Sequence, residues 1–447
     1  MLRVNVSFPS GSGDTLLLPE HSKVGDLKIL AQSTFRKGFL RLITVGGHVL
    51  SNPEDSLQAA GVQDGEHLTA VVQQPQVATS RTAFALWCCG CNGVVTWGHP
   101  RHGGNSSAVQ DQLRNVQQIR GTKGGAFAAI LADESVVAWG HPDFGGDCSE
   151  NQDELNNVKQ IQATHRAFAA ILGDGSVVCW GHPNFGGRCC AVQHQLRAVK
   201  QIQSTEREFV AILANGSAVA WGDPDFGREC PGVQNQLKNV LQIQATNGAF
   251  AAILADGSVV AWGNPYMGGE CFISGVKDQL KNVLQIEATD GAFAAILADG
   301  SVVAWGHPDF GGRFSAVQDQ LRNVKQIQAT ERAFAAILGN GAVVAWGDPD
   351  FGGDCSRVQD QLKNVLQIQA TDGAFAAIVA DRSVVTWGMP EHGGDCAAVQ
   401  EELGHVEQIF ATGYAFAAIL ADGSIVAWGD PDRGGDCSAV RDQLRWL

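Results

Sequence analysis

The chain has 447 residues, enough for about three ordinary domains, and its 45% apolar and 17% charged residues are those of a globular protein rather than a disordered one. Its net charge is −15, and since residues 1–75 hold six Lys/Arg against seven Asp/Glu, nearly all of that charge lies in the remainder. An acidic body repels phosphate backbones and anionic membrane surfaces, which argues against nucleic acid and membrane as partners. No apolar run approaches a membrane span and the first residues, Met1-Leu2-Arg3-Val4, lack a signal-peptide core, so the expectation is a cytoplasmic protein, with a nuclear share left open.

Residues 1–74 read as one small unit. Leu2, Val4 and Val6 alternate as a half-buried strand does; Ser10–Gly13 turns the chain, and Thr15–Leu18 returns. Val24, Leu27, Ile29, Leu30 and Ala31 predict a helix after Ser22, and Arg41–Val45 and Leu68–Val72 predict two more strands. Over nearly the whole unit this resembles ubiquitin, with Arg41, Leu42, Ile43, Gly47, Leu50, Leu57, Gly61 and Leu68 in the matching order. The resemblance implies a β-grasp ubiquitin-like domain. The unit runs on through Val72-Gln73-Gln74-Pro75 with no terminal Gly-Gly, so it is expected to be integral rather than conjugated. Alternation turns Ile43 and Val71 outward, at positions matching ubiquitin's principal recognition surface. The plain alternative is that single exposed apolar residues are commonplace.

Residues 76–447 repeat. Trp-Gly recurs at Trp97, Trp139, Trp180, Trp221, Trp262, Trp305, Trp346, Trp387 and Trp428, nine units spaced 41 to 43 residues apart, each with Pro three residues after the Trp. In the unit beginning at Val324, Val324–Thr330 predicts a short strand, and Ala333–Leu338 and Ala342–Trp346 are apolar on both faces, a hairpin covered from both sides. Asp-Gly at the joint of other units, such as Asp256-Gly257, predicts a tight turn with positive φ at both central residues. Val358, Leu362 and Val365 recur at helical spacing and predict one helical turn.

The pattern, as in Phe334-Ala-Ala-Ile-Leu338 followed by Trp346-Gly347 and Gly352-Gly353, resembles the repeat of the regulator of chromosome condensation family. Its short unit is similar to that of the bacterial β-lactamase-inhibitor propeller. The resemblance implies a mainly β fold of three-stranded blades around an axis, here nine where the family's rings usually have seven. Nine could close as one ring, open as a spiral, or leave two units outside a seven-fold ring; the even quality of the units favours the nine-fold ring.

Chemistry is harder to find. Seven Cys stand nine residues after the Trp (Cys148, Cys189, Cys230, Cys271, Cys355, Cys396 and Cys437), but Ser106 and Phe314 fill the column elsewhere, so packing is favoured over metal ligation. Cys88-Cys89-Gly-Cys91 is a looser cluster in the first hairpin. His99, His141, His182 and His307 precede the repeated Pro, where other units have Asp, Asn or Met, which argues against a shared metal site. No catalytic motif is recognisable, and no cofactor is expected.

What remains is a presented surface. Four residues past the Trp stand Asp143, Asp225, Asp309, Asp350, Glu391 and Asp432, and Phe144, Phe185, Phe226, Phe310 and Phe351 follow one position later. Acids beside aromatics on loops of a rigid scaffold suit a basic protein surface; alternatively the Phe tucks under the loop and the acids serve solubility. The fifth unit carries two extra residues around Phe272 and Ile273, either a contact point or an inward-folded bulge. The expectation is a non-enzymatic adaptor: the repeats hold a protein client and the first domain docks on a ubiquitin-pathway receptor or ligase. The alternative is a ligase component or a guanine-nucleotide exchange regulator acting through the repeats.

Overall fold

The computed structural model describes the chain except for residues 89–92, 224–232, 234–235, 271–274 and 447, and the side chains of 445–446. In residues 1–74, strands β1 (Leu2–Ser7) and β2 (Gly13–Leu18) form an antiparallel hairpin, helix α1 spans Val24–Phe35, and β3 (Leu40–Thr44) and β4 (Glu66–Val72) complete the sheet. The order is β2-β1-β4-β3, with β1 parallel to β4 and β3 antiparallel to it. Alternation buries Val4, Val6, Leu16, Leu18, Leu40, Leu42, Leu68 and Ala70 against Val24, Leu27 and Ala31 of α1. The helix runs four residues beyond Ala31 and ends on Arg36 in the left-handed conformation, whose amide donates to the Gln32 carbonyl.

The described residues beyond this form nine three-stranded antiparallel sheets. The first is Pro75–Thr79, Ala83–Cys88 and Val94–Gly98; the last is Val406–Ala411, Ala415–Leu420 and Ile425–Gly429. In the seventh sheet Phe334 lies opposite Trp346, and Ala336 opposite Val344. Because strand side chains alternate, the doubly apolar run Ala333–Leu338 serves two neighbours. Phe334 and Ala336 pack on Ala292, Ala294 and Ile296 of the sixth sheet, while Ala333, Ala335 and Ile337 pack on Phe375 and Ala377 of the eighth. Small residues on one face receive large rings from the next, so sheets stack face to face like the blades of a β-propeller. The ninth sheet packs on the first, with Ala415, Ala417 and Ile419 against Phe84, Leu86 and Trp97.

The Trp column has a second role. Trp305, Trp346, Trp387 and Trp428 each donate their indole N–H to the carbonyl of a loop glycine one unit back, at 3.0–3.1 Å. Trp97 reaches Gly434 of the last unit in the same way, at 3.2 Å. That glycine column is constrained twice: Gly352 has φ 89°, and a Cβ there would stand 2.7 Å from the Phe375 ring of the next sheet.

The hairpin turns correct one expectation. Only the glycine takes positive φ, as at Gly257 (77°), and the preceding Asp instead accepts from the backbone and hydroxyl of the following Ser, as Asp256 does from Ser258 at 2.9 and 2.6 Å. Among the described turns, two lack the glycine and place Glu134 (φ 65°) and Arg382 (φ 69°) there. The expected helical turn is present: the Leu362 amide donates to the Val358 carbonyl at 3.2 Å, and Leu362 is buried. Among the described residues no helix is long and apolar enough to cross a membrane, which says nothing of strands.

Candidate functional site

Each innermost strand ends at or just before a Thr or Ser that opens a tight link to the second strand, and these links crowd around the axis. Thr330 shows the local design: its hydroxyl takes the Ala333 amide at 3.0 Å and contacts the Phe351 carbonyl at 3.1 Å, tying the axial link to the loop that follows the Trp. Axial links and post-Trp loops therefore share one face of the molecule.

Around the axis the residue after that Thr or Ser is Arg81, Lys123, His165, Glu206, Asn247, Asp290, Glu331, Asp372 and Gly413 in turn. Their backbones bond from unit to unit: Asn247 N–H to Asp290, Asp290 to Glu331, Glu331 to Asp372, Asp372 to Gly413, and Gly413 to Arg81, at 2.8–3.0 Å. The last bond joins the ninth unit to the first. Arg81 then reaches past Gly413 to Glu331 (2.7 Å) and Asp372 (2.6 Å), and Lys123 to Glu206 (3.0 Å). They surround a cavity of about 300 Å³. Burial pushes the Asp290 carboxyl up to about 6 and that of Glu331 up to about 7, so these two carboxyls exchange protons close to neutral pH.

The surrounding loops are single 3₁₀ turns such as Pro349–Phe351, with Pro at the first helical position and a left-handed glycine after the last. The residue before the Pro is an N-cap. Asp348 accepts the Asp350 amide at 3.1 Å, Asn264 that of Tyr266 at 2.9 Å, and His307 that of Asp309 at 3.3 Å. This role was missed in the sequence, although His, Asp and Asn exchanging ahead of a Pro was its signal. The seven-Cys column likewise has a role beyond packing: the thiols of Cys189, Cys355 and Cys396 donate to Gln193, Gln359 and Gln400 at 3.0–3.2 Å, and in the first unit the hydroxyl of Ser106 does the same to Gln110.

Asp143, Asp309, Asp350, Glu391 and Asp432 are exposed on these loops, ringing the face. The Phe column is only half-exposed. Its rings clasp arginines from the axial links: Arg166 lies 4.9 Å from both Phe144 and Phe185, and Arg332 5.1 and 5.0 Å from Phe310 and Phe351. The rings thus stiffen the loops, and the acids are what the face presents. Ile43 and Val71 lie on the outer face of the first domain's sheet, half-buried, with Ile43 opposite Thr69 and Val71 opposite Arg41. Asp225, Phe226, Cys89, Cys91, Cys230, Cys271, Phe272 and Ile273 lie outside the described residues. Among the described residues no three His, Cys, Asp or Glu are grouped to hold a metal.

No family model and no curated protein matches the chain. Among solved structures it is similar to yeast RCC1 (Prp20) in complex with Kap60, at 15% identity over 81% of this chain and 85% of that one, with a TM-score of 0.40. It is also similar to the computationally designed protein Ika8, at 14% identity over 70% and 96%, with a TM-score of 0.34. A stretch covering 16% of the chain is similar to 75% of an N-terminal ubiquitin-like domain solved in solution, at 28% identity and a TM-score of 0.15. At such similarity the architecture rests on the strand pairing described above.

Proposed function

We propose that the chain is a non-enzymatic adaptor of the cytoplasm. In this reading the repeats form a closed nine-bladed propeller that binds a basic protein client on its loop face. Residues 1–74 form a ubiquitin-like β-grasp domain that docks on a ubiquitin-pathway receptor or ligase. The observation that carries the reading is the loop face itself, where repeated acids stand exposed on loops held by N-caps, indole hydrogen bonds and arginine–aromatic stacks. Rigid loops lose little entropy on binding, and like charges spread over a wide face steer an oppositely charged partner. For the first domain, support comes from the sheet order β2-β1-β4-β3 and from the two apolar side chains on its outer face.

One pull-down series with the full chain tests both halves. Ile43→Ala with Val71→Ala should lose the ubiquitin-pathway proteins and keep the client. Asp309→Asn, Asp350→Asn and Glu391→Gln together should lose the client and keep those proteins, and added salt should mimic the second variant. Retention of every partner by both variants overturns the reading.

A further inference from the structure

The loop face is not uniformly acidic. Where the ninth, first, second and third units meet lies a cavity of about 280 Å³. Arg81, Lys123, Arg166 and Arg433 line it together with His99, His102 and His165, and no Asp or Glu is among its described lining residues. That composition is unexpected in a chain of net charge −15. Arg81 and Lys123 already hold carboxylates on the axial side, and Arg433 stands 3.5 Å from Asp430.

Arg166 differs. Among the described residues it makes no ion pair, and its buried Nε has no hydrogen-bond partner, as is also true of Nδ1 of His99. A guanidinium is always charged, so a buried donor left idle is costly unless something else arrives to accept from it. The Phe144 and Phe185 rings each lie 4.9 Å from its guanidinium carbon and stack against a group that lines the cavity, where its planar fork can meet an anion. His102 and His165 add donors rather than fixed charge. His102 stacks on His99 at 4.2 Å, and its pKa is lowered by burial and then by neighbouring His99, His141 and Arg433; burial first holds His165 near 4.

We propose that this cavity binds a phosphate monoester carried on a side chain of the client. The inference rests on the reading of this face as a client surface. Clustered cations, a guanidinium whose Nε has no partner, and the N–H donors of His102 and His165 suit a dianion with three acceptor oxygens. The volume admits a phosphorylated side chain and falls just below the range of sites for whole small molecules, roughly 300–1,000 Å³.

The test is calorimetric titration of the full chain with O-phosphoserine, inorganic phosphate and glutamate at physiological ionic strength. The expected result is saturable binding of O-phosphoserine and phosphate, with glutamate much weaker. Arg166→Gln should weaken phosphate binding roughly tenfold or more, as loss of a charge-assisted pair does, and Arg166→Lys should recover part of it. Arg332→Gln is the control, because Arg332 occupies the same stack between Phe310 and Phe351 in the acidic sector and should leave binding unchanged. Absence of saturable binding, equal binding of glutamate, or equal losses from Arg166→Gln and Arg332→Gln would each overturn the proposal. No client enters this assay, so its failure leaves the adaptor reading intact, and failure of the pull-down leaves the cavity's affinity intact.

Discussion

Glu208 shows how much one side chain can cost. It occupies the column that holds Ala in the other eight units, is 1% exposed, and has an Oε1 without a hydrogen-bond partner. Burial, with Asp223 adding like charge, pushes its carboxyl up from 4.5 to about 8. The folded protein therefore keeps a proton there that the unfolded chain releases. Below about pH 4.5 both states are protonated and the group has no pH-dependent effect. Between there and about pH 8 stability falls by about 1.4 kcal/mol per pH unit from this group alone, and above that range its contribution is flat. Glu208→Ala should remove that slope. Urea midpoints measured across the range should show the variant gaining on the parent with every step up in pH; a constant difference would contradict the assignment.

At the scale of elements, the hairpin turn sets a specific demand. Six of the units satisfy it with glycine, from Gly175 to Gly423, at φ between 77° and 83°, whereas Arg382 meets it at 69° with a side chain. A left-handed residue other than glycine costs about 1–2 kcal/mol, partly offset by the freedom glycine has in the unfolded chain. Arg382→Gly should therefore stabilise the protein by about 0.5–1 kcal/mol in urea titration, and a destabilised variant would show that Arg382 contributes contacts outweighing the strain. The same turn marks the limit of what could be read in advance. Strands, the Leu column and the doubly apolar hairpins were legible because period-two burial on two faces leaves a pattern in residue type. The turn geometry was not, since Asp-Gly fits both a turn with two left-handed residues and one with a single left-handed glycine; the Asp256–Ser258 bond selects the latter. Nor were the axial charge pairs legible, because Arg81 and Asp372 are separated by 291 residues and meet only in the folded chain.

For the whole molecule the question is what holds the last unit to the first. Contacts among the described residues cross that seam in several ways, among them apolar packing of Ala417 and Ile419 on Phe84 and Leu86, the Trp97 indole on the Gly434 carbonyl, and the Gly413 amide on the Arg81 carbonyl. The first domain adds another, since Phe39 is buried in the same apolar cluster and Gly38 lies so close to Gly423 that a Cβ would come within 2.4 Å of its Cα. The unit of residues 1–74 is thus seated on the ninth hairpin beside the seam, a placement for which the sequence offered no signal. Arg81 spans the seam electrostatically, and its carboxylate partners are largely buried, with side-chain exposures of 28% for Glu331 and 15% for Asp372. If closure leans on this clamp, Arg81→Ala should cost about 3–5 kcal/mol, the loss typical of stranding buried charge. If packing of whole sheets suffices, the loss will be near the ~1 kcal/mol of an exposed pair. The buried setting of Glu331, whose carboxyl is already pushed up to about 7, favours a large loss at pH 8 that shrinks toward pH 5 as that stranded carboxyl protonates. Thermal unfolding of Arg81→Ala at those two pH values decides it: equal losses at both would assign closure to packing alone.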